Sequence, residues 1–294
     1  MQWFPGHMAK TRRLIQENLK LVDLVLELAD ARIPLSSRNP ELDKWLRTPG
    51  GEPKPRILLL NKSDYADPEA TRRWADWYRR KGVPVLACDC KSGSGTSEFI
   101  PMVKRVLAPL IARREEKGMV GRMLRIMVVG VPNVGKSSFI NRMAGGKHAK
   151  VEDRPGVTRG KQWVSLDRDV ELLDMPGVLW PKFEDPLVGE KLAFTGAVKD
   201  DVLDKELLAS RLLSILAADY PDRLQERFQL TDFAGLEGWE LLEAVGRRRG
   251  MLVSGGAVNT ERAAIMVMDE YRAGKFGKLT LELPPAEPES KERV

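Results

Sequence analysis

The 294-residue sequence predicts an α/β domain with a mostly parallel sheet, followed by a small all-α domain. Up to about residue 180, short apolar runs alternate with stretches of helical periodicity, and polar loop motifs stand at the ends of those runs. After Pro181 the strand signal stops and only helical patterns continue. A chain of this length has room for about two cores.

Residues 8–20 set apolar side chains at helical spacing, and 21–28 then reads as a buried strand leading into Asp30-Ala31-Arg32-Ile33-Pro34. A second strand, Arg56-Ile57-Leu58-Leu59-Leu60, runs straight into Asn61-Lys62-Ser63-Asp64. Residues 83–87 form a third, followed by the loop Asp89-Cys90-Lys91-Ser92-Gly93-Ser94-Gly95 and one long basic helix over about 97–117. The fourth strand, 123–129, meets Gly130-Val131-Pro132-Asn133-Val134-Gly135-Lys136-Ser137, from which a helix starts at Lys136. Residues 162–166 and 170–173 read as a hairpin around Asp167-Arg168-Asp169. Strands separated by helices favour a parallel sheet with ligands at the strand C-termini. Further helices are expected at 204–218, 237–247 and 260–273, the last capped by Asn259. The domains are therefore placed at 1–180 and 190–283, with a Pro-rich, charged and disordered tail over 284–294.

Composition narrows the function classes. A content of 43% hydrophobic and 31% charged residues, with no apolar run near bilayer length, predicts a soluble chain without a membrane span. The N-terminus shows no apolar leader, which predicts a cytoplasmic location. Cys88 and Cys90 stand too close to bridge separate elements and read as reduced thiols. The formal charge of +6 is concentrated in clusters near Lys10, Arg12 and Arg13, from Lys104 to Arg125, and at Arg247-Arg248-Arg249. Such clusters fit a polyanionic partner or solvated helix faces.

The loop 130–137 joins a strand to a helix, so its backbone N–H groups aim at phosphates. Lys136 adds charge at the β- and γ-phosphates, and Ser137 offers a hydroxyl to Mg²⁺, with Ser138 beside it. Asp64 can accept from guanine N1–H and the exocyclic amine, neither of which adenine presents, while Asn61 can contact the base edge. Lys62 completes that motif, and Asp89, Cys90 and Lys91 form the loop expected behind the base. Asp174-Met175-Pro176-Gly177 ends an apolar strand, so Asp174 can orient the Mg²⁺ shell while the Gly177 N–H meets the γ-phosphate. Thr158 is the switch threonine expected to complete the Mg²⁺ coordination.

These motifs occur in inverted order, the base-reading one first. Together they resemble the translation-factor-like branch of P-loop GTPases in circularly permuted form. With Trp3-Phe4-Pro5-Gly6-His7-Met8, Asp30-Ala31-Arg32-Ile33-Pro34, Ser254-Gly255-Gly256-Ala257-Val258-Asn259 and Lys275-Phe276-Gly277-Lys278-Leu279, the chain is similar to the bacterial ribosome biogenesis GTPase A family over nearly its whole length. The fold implied is a circularly permuted P-loop GTPase domain followed by a helical RNA-binding domain. The resemblance implies GTP hydrolysis in late maturation of the large ribosomal subunit, with binding to rRNA in the GTP state and release afterwards. A GTP-dependent RNA scaffold with incidental hydrolysis is the alternative. No obligate homo-oligomer is expected.

The loop at Asp89-Cys90-Lys91 departs from the usual Ser-Ala-Lys. Many GTPases place a water-orienting glutamine after the D-x-x-G glycine, whereas this chain has Val178. The resemblance implies His7 as the substitute, and Asn133 as a ligand for K⁺ near the β- and γ-phosphates.

Overall fold

The computed structural model describes residues 5–46, 53–145, 162–167, 169–180, 183, 185–198 and 204–286; the side chains of 5–11, 162 and 167 are outside it. Six strands form one sheet: β1 (Leu24–Asp30), β2 (Arg56–Asn61), β3 (Val85–Ala87), β4 (Leu124–Gly130), β5 (Gln162–Asp167) and β6 (Val170–Asp174). Their order across the sheet is β3-β2-β1-β4-β6-β5. All neighbouring pairs are parallel except β5 with β6, the expected hairpin.

Alternation along the strands gives the sheet two buried faces. Leu24, Leu26 and Leu28 of β1, with Ile57 and Leu59 of β2, face Phe99 and Phe139. Val25 of β1, Met127 and Val129 of β4, and Leu173 of β6 face Ile15 and Leu19 of the first helix, α1 (Pro5–Leu19). Glu27, between Val25 and Ala29, lies buried on that second face, where Arg38 and Arg56 supply the opposite charge. A buried carboxylate is tolerated only with such partners.

The long helix expected over 97–117 is two helices. A 3₁₀ turn at Thr96–Glu98 leads into α4 (Phe99–Val106), and after a break at Leu107 comes α5 (Ala108–Glu116). Pro109 is the reason: without an N–H it cannot continue the ladder, but it suits the first turn of a new helix. The structure also adds helices with no counterpart in the sequence reading. They are α2 (Leu42–Trp45), α3 (Pro68–Arg80), α7 (Pro186–Phe194) and α9 (Pro221–Phe228). In α3 the Asp67 carboxylate caps the Ala70 N–H at 2.7 Å, and Pro68 sits in the first turn.

The helix α6 (Lys136–Met143) follows β4 directly. The remaining helices are α8 (Lys205–Asp219), α10 (Gly238–Arg248) and α11 (Thr260–Arg272), where the Asn259 side chain accepts from the Arg262 N–H at 2.9 Å as the expected cap. Their core, including Leu192, Phe194, Leu212, Leu241 and Val267, is continuous with the Phe99 and Phe139 side of the sheet. After α11 the chain does not leave the surface. Residues 279–282 lie back against the sheet domain, where the Leu279 N–H meets the Tyr65 carbonyl at 3.0 Å and the Leu281 N–H meets the Arg32 carbonyl at 2.8 Å. The tail expected from 284 lies outside the described residues from 287 onward.

Candidate functional site: a guanine-nucleotide cleft

Register brings the motifs to one edge. Asp30 pairs with Asn61, Leu28 with Gly130, and Val128 with Asp174, so the C-terminal ends of β1, β2, β4 and β6 lie side by side. This is where an open parallel sheet binds its ligands.

A cleft of about 690 Å³ is lined by Pro132, Asn133, Gly135, Lys136, Ser137, Ser138 and the Asp174-Met175-Pro176-Gly177 segment. Within it Lys136 is buried, and its Nζ donates to the carbonyls of Gly130 at 3.1 Å and Val131 at 3.0 Å. Burial pushes the Lys136 ammonium down to about 8, against an opposing pull from Asp174. Phosphate oxygens beside it favour its charged form. Burial also raises the Asp174 carboxyl above its ordinary range, with Lys136 opposing.

Gly135 has φ +101°, a left-handed value, and a Cβ there would fall 2.2 Å from Asn61 Nδ2. Gly135→Ala is therefore expected to cost about 1–3 kcal/mol and to displace Asn61. Thermal unfolding and GDP titration check both effects. At Gly177 the constraint is space: a Cβ would meet the Pro132 backbone at 2.9 Å. The next residue, Val178, donates its N–H to the Gly130 carbonyl at 3.1 Å and buries its side chain in the α1 side of the core. The position where many GTPases carry glutamine is thus a core residue here.

The segment expected to read the base joins this cleft through its own side chains. Asn61 Nδ2 donates to the Val134 carbonyl at 2.7 Å, and its Oδ1 accepts from the Cys90 N–H at 3.1 Å. Asn61 thereby ties the phosphate loop to the loop expected behind the base; the amide's second hydrogen is what it has to offer a base edge. Lys62, at φ +61°, donates to the Asn133 carbonyl at 2.8 Å and pairs with Asp30 at 3.0 Å.

Burial raises the half-buried Asp64 carboxyl, and the charge of Asp89 adds to the rise. For Asp89 itself burial acts upward, but hydrogen bonds from Ser92 and the Lys91 N–H prevail and hold it below its ordinary range. Those bonds shape the 89–95 loop, and Arg142 of α6 holds the same loop through the carbonyls of Cys90 and Lys91. Cys88 and Cys90 are free and buried, with sulfurs 3.5 Å apart.

Asn133, at φ +58°, donates its side-chain amide to the Gly196 carbonyl at 2.6 Å, so the phosphate loop touches the segment that follows α7. Thr158 and the His7 side chain lie outside the described residues. The residues that sequence reasoning missed are Asp30 and Arg32, which sit behind Lys62 as a buried ion pair at 2.8 Å. Their motif was visible, but nothing local pointed it at the base-reading lysine.

A phosphate-binding loop, a D-x-x-G segment and an Asn-Lys-x-Asp segment on adjoining strand ends, reached by the chain in inverted order, define a circularly permuted P-loop GTPase. The family model described as "50S ribosome-binding GTPase" matches residues 125–219. The chain is 47% identical to ribosome biogenesis GTPase A of Priestia megaterium over 97% of each chain. It belongs to the ribosome biogenesis GTPase A family. The relative from Thermotoga maritima is 31% identical, covering 97% of this chain and 95% of its own. Among solved structures, GDP-bound TM YlqF shares the fold with a TM-score of 0.65 and 28% identity, over 92% of this chain and 99% of that one. GNP-bound YlqF from T. maritima gives 0.63 at 28% identity, over 94% and 98%.

Proposed function

We propose that this GTPase serves late assembly of the large ribosomal subunit, binding rRNA in its GTP state and leaving after hydrolysis. The observation that carries the reading is the full-length similarity to relatives named for ribosome biogenesis. The clustered bases agree with it in part: Arg247 and Arg248 share a cleft of about 650 Å³ with the exposed Trp239, although Glu240 and Glu243 line the same cleft. An exposed indole beside guanidinium groups suits unstacked RNA bases. A cytoplasmic location follows from such a role, and among the described residues no helix is long and apolar enough to cross a membrane.

In the cleft, Ser137 and Asp174 offer hard oxygen donors near Lys136, a set suited to Mg²⁺. Among the described residues no three acidic, His or Cys side chains gather to hold a metal alone. A Mg²⁺ ion held by Ser137 and Asp174 would need further oxygen ligands, of the kind that phosphates and water supply. When bound it neutralises charge on the β- and γ-phosphates. Thr158 is assigned the remaining protein ligand, and Asn133 the K⁺ role, through its side-chain carbonyl.

Because Val178 is a core residue, the attacking water needs another group to orient it. His7 is assigned that role, and its helix packs against the same core as Val178 through Ile15 and Leu19. GTP turnover is expected to rise at least about tenfold when large-subunit particles are added, and His7→Ala to remove that rise while leaving GDP binding intact. Equal turnover with and without particles favours the scaffold reading instead.

A further inference from the structure

Behind the guanine motif lies a buried ionic chain that the nucleotide chemistry does not account for. Asp30 Oδ2 receives both Lys62 Nζ at 3.0 Å and Arg32 Nη2 at 2.8 Å, while Oδ1 receives Arg32 Nε at 3.0 Å. Arg32 is 1% exposed. Its remaining fork reaches the Tyr271 carbonyl at the end of α11, at 3.0 Å, and its guanidinium lies 4.9 Å from the Tyr271 ring. One buried carboxylate thus holds a base-reading lysine and an arginine committed to the C-terminal helices. A charge in such a chain is stable only while its partners stay in place.

The C-terminal strap rests on the same two segments. The Leu281 N–H donates to the Arg32 carbonyl at 2.8 Å, and the Leu279 N–H to the Tyr65 carbonyl, at the end of the base-reading loop, at 3.0 Å. Thr280 Oγ1 accepts from the Asp67 N–H at 3.1 Å and approaches the Ala31 carbonyl at 3.4 Å. Glu282 then anchors the strap, its carboxylate accepting from the N–H groups of Leu35 and Ser36, from the Ser36 hydroxyl and from Lys191. Gly274 lies so close that a Cβ would meet the Tyr65 ring at 2.6 Å. The loop 61–65 is therefore clamped between two bodies. Lys62 points to the phosphate loop, and Tyr65 carries the strap.

We infer that Asp30 and Arg32 are positioning residues of the guanine site, and that the strap over 279–282 sets the affinity for guanine nucleotides through them. This rests on the reading of Lys62 as part of that site. Loosening the strap frees Arg32, lets Asp30 move, and leaves Lys62 without its second partner. Linkage makes the effect reciprocal, so a bound nucleotide must tighten the strap. The helical region is then informed of the nucleotide through the base.

The test uses the full chain and the probe mant-GDP. Thr280→Val removes the strap's bonds to the Asp67 N–H and the Ala31 carbonyl without touching the cleft. It is expected to weaken mant-GDP binding about fivefold or more, with circular dichroism unchanged. In the unmutated chain, hydrogen exchange at the Leu279 and Leu281 amides is expected to slow when GDP is added. Thr280→Val binding mant-GDP as the unmutated chain does, while its strap amides exchange faster, overturns the inference. If that variant does not fold, exchange in the unmutated chain decides, and strap amides indifferent to saturating GDP overturn it equally. Failure of the unmutated chain to bind mant-GDP at all defeats the guanine-site reading as well, which separates the two outcomes.

Discussion

Lys136→Ala is expected to lower GTP and GDP affinity by about 10²-fold or more and to bring turnover below detection. Its Nζ contributes charge-assisted hydrogen bonds, each worth about 1.5–3 kcal/mol, and two of them account for that loss. The site amplifies the effect because the side chain is buried, where charges are poorly screened. Lys136→Arg does not rescue, since the niche between the Gly130 and Val131 carbonyls is built for a compact ammonium and not for a planar fork. Some destabilisation accompanies the loss, because those two carbonyls give up a donor. This amounts to about 1–3 kcal/mol and is read as a thermal shift of several degrees. Calorimetric titration with GDP and single-turnover hydrolysis separate binding from chemistry. Wild-type turnover by Lys136→Ala defeats the assignment of the phosphate loop.

The site was legible in the sequence where its chemistry is local. Each apolar run ends in its motif, Leu60 before Asn61 and Val129 before Gly130, and the register of the sheet then aligns those ends. Of the helices in the second region, α8, α10 and α11 were legible by period, and Asn259 as a cap by its position before Thr260, whereas α7 and α9 were not read. Two failures were also local. Asp67-Pro68-Glu69 is a start signal for α3 that was in the sequence to be read, and Pro109 inside a basic apolar pattern marks the break between α4 and α5. What the sequence could not give is the part made by distant residues. Arg32 is an arginine in a loop motif, a residue type expected at the surface, yet it is fully buried. The reasons are Asp30 nearby and the Tyr271 carbonyl 239 residues on. Glu282 stands in a segment that reads as the approach to a polar tail, and its partners at Leu35 and Ser36 are about as far away in the chain. Sequence periodicity reports which face of an element is apolar. It does not report which carbonyl a buried guanidinium reaches.

Asp64→Asn is expected to exchange the base that the protein prefers. The Asp64 carboxylate stands at the end of a loop fixed by the Ser63 N–H on the Cys88 carbonyl at 3.2 Å and by the left-handed turn at Lys62. As an ionised group it is expected to accept from both N1–H and the exocyclic amine of guanine. Partial burial and the nearby Asp89 raise its carboxyl, so it protonates at a higher pH than an exposed aspartate. Guanine binding should accordingly weaken on acidification before the fold is affected. Asparagine keeps one acceptor and replaces the other with an N–H donor, which faces the guanine amine donor to donor but matches the C2 carbonyl of xanthine. GTP affinity is expected to fall by roughly 10²-fold or more, the penalty for buried polar groups set against the wrong partner. XTP should bind in its place. Because Lys136, Ser137 and Asp174 are untouched, XTP hydrolysis should run at close to the rate of GTP hydrolysis by the unmutated chain. Competition between GTP and XTP for each protein measures the exchange directly, and a variant that still prefers GTP places the base elsewhere than beside Asp64.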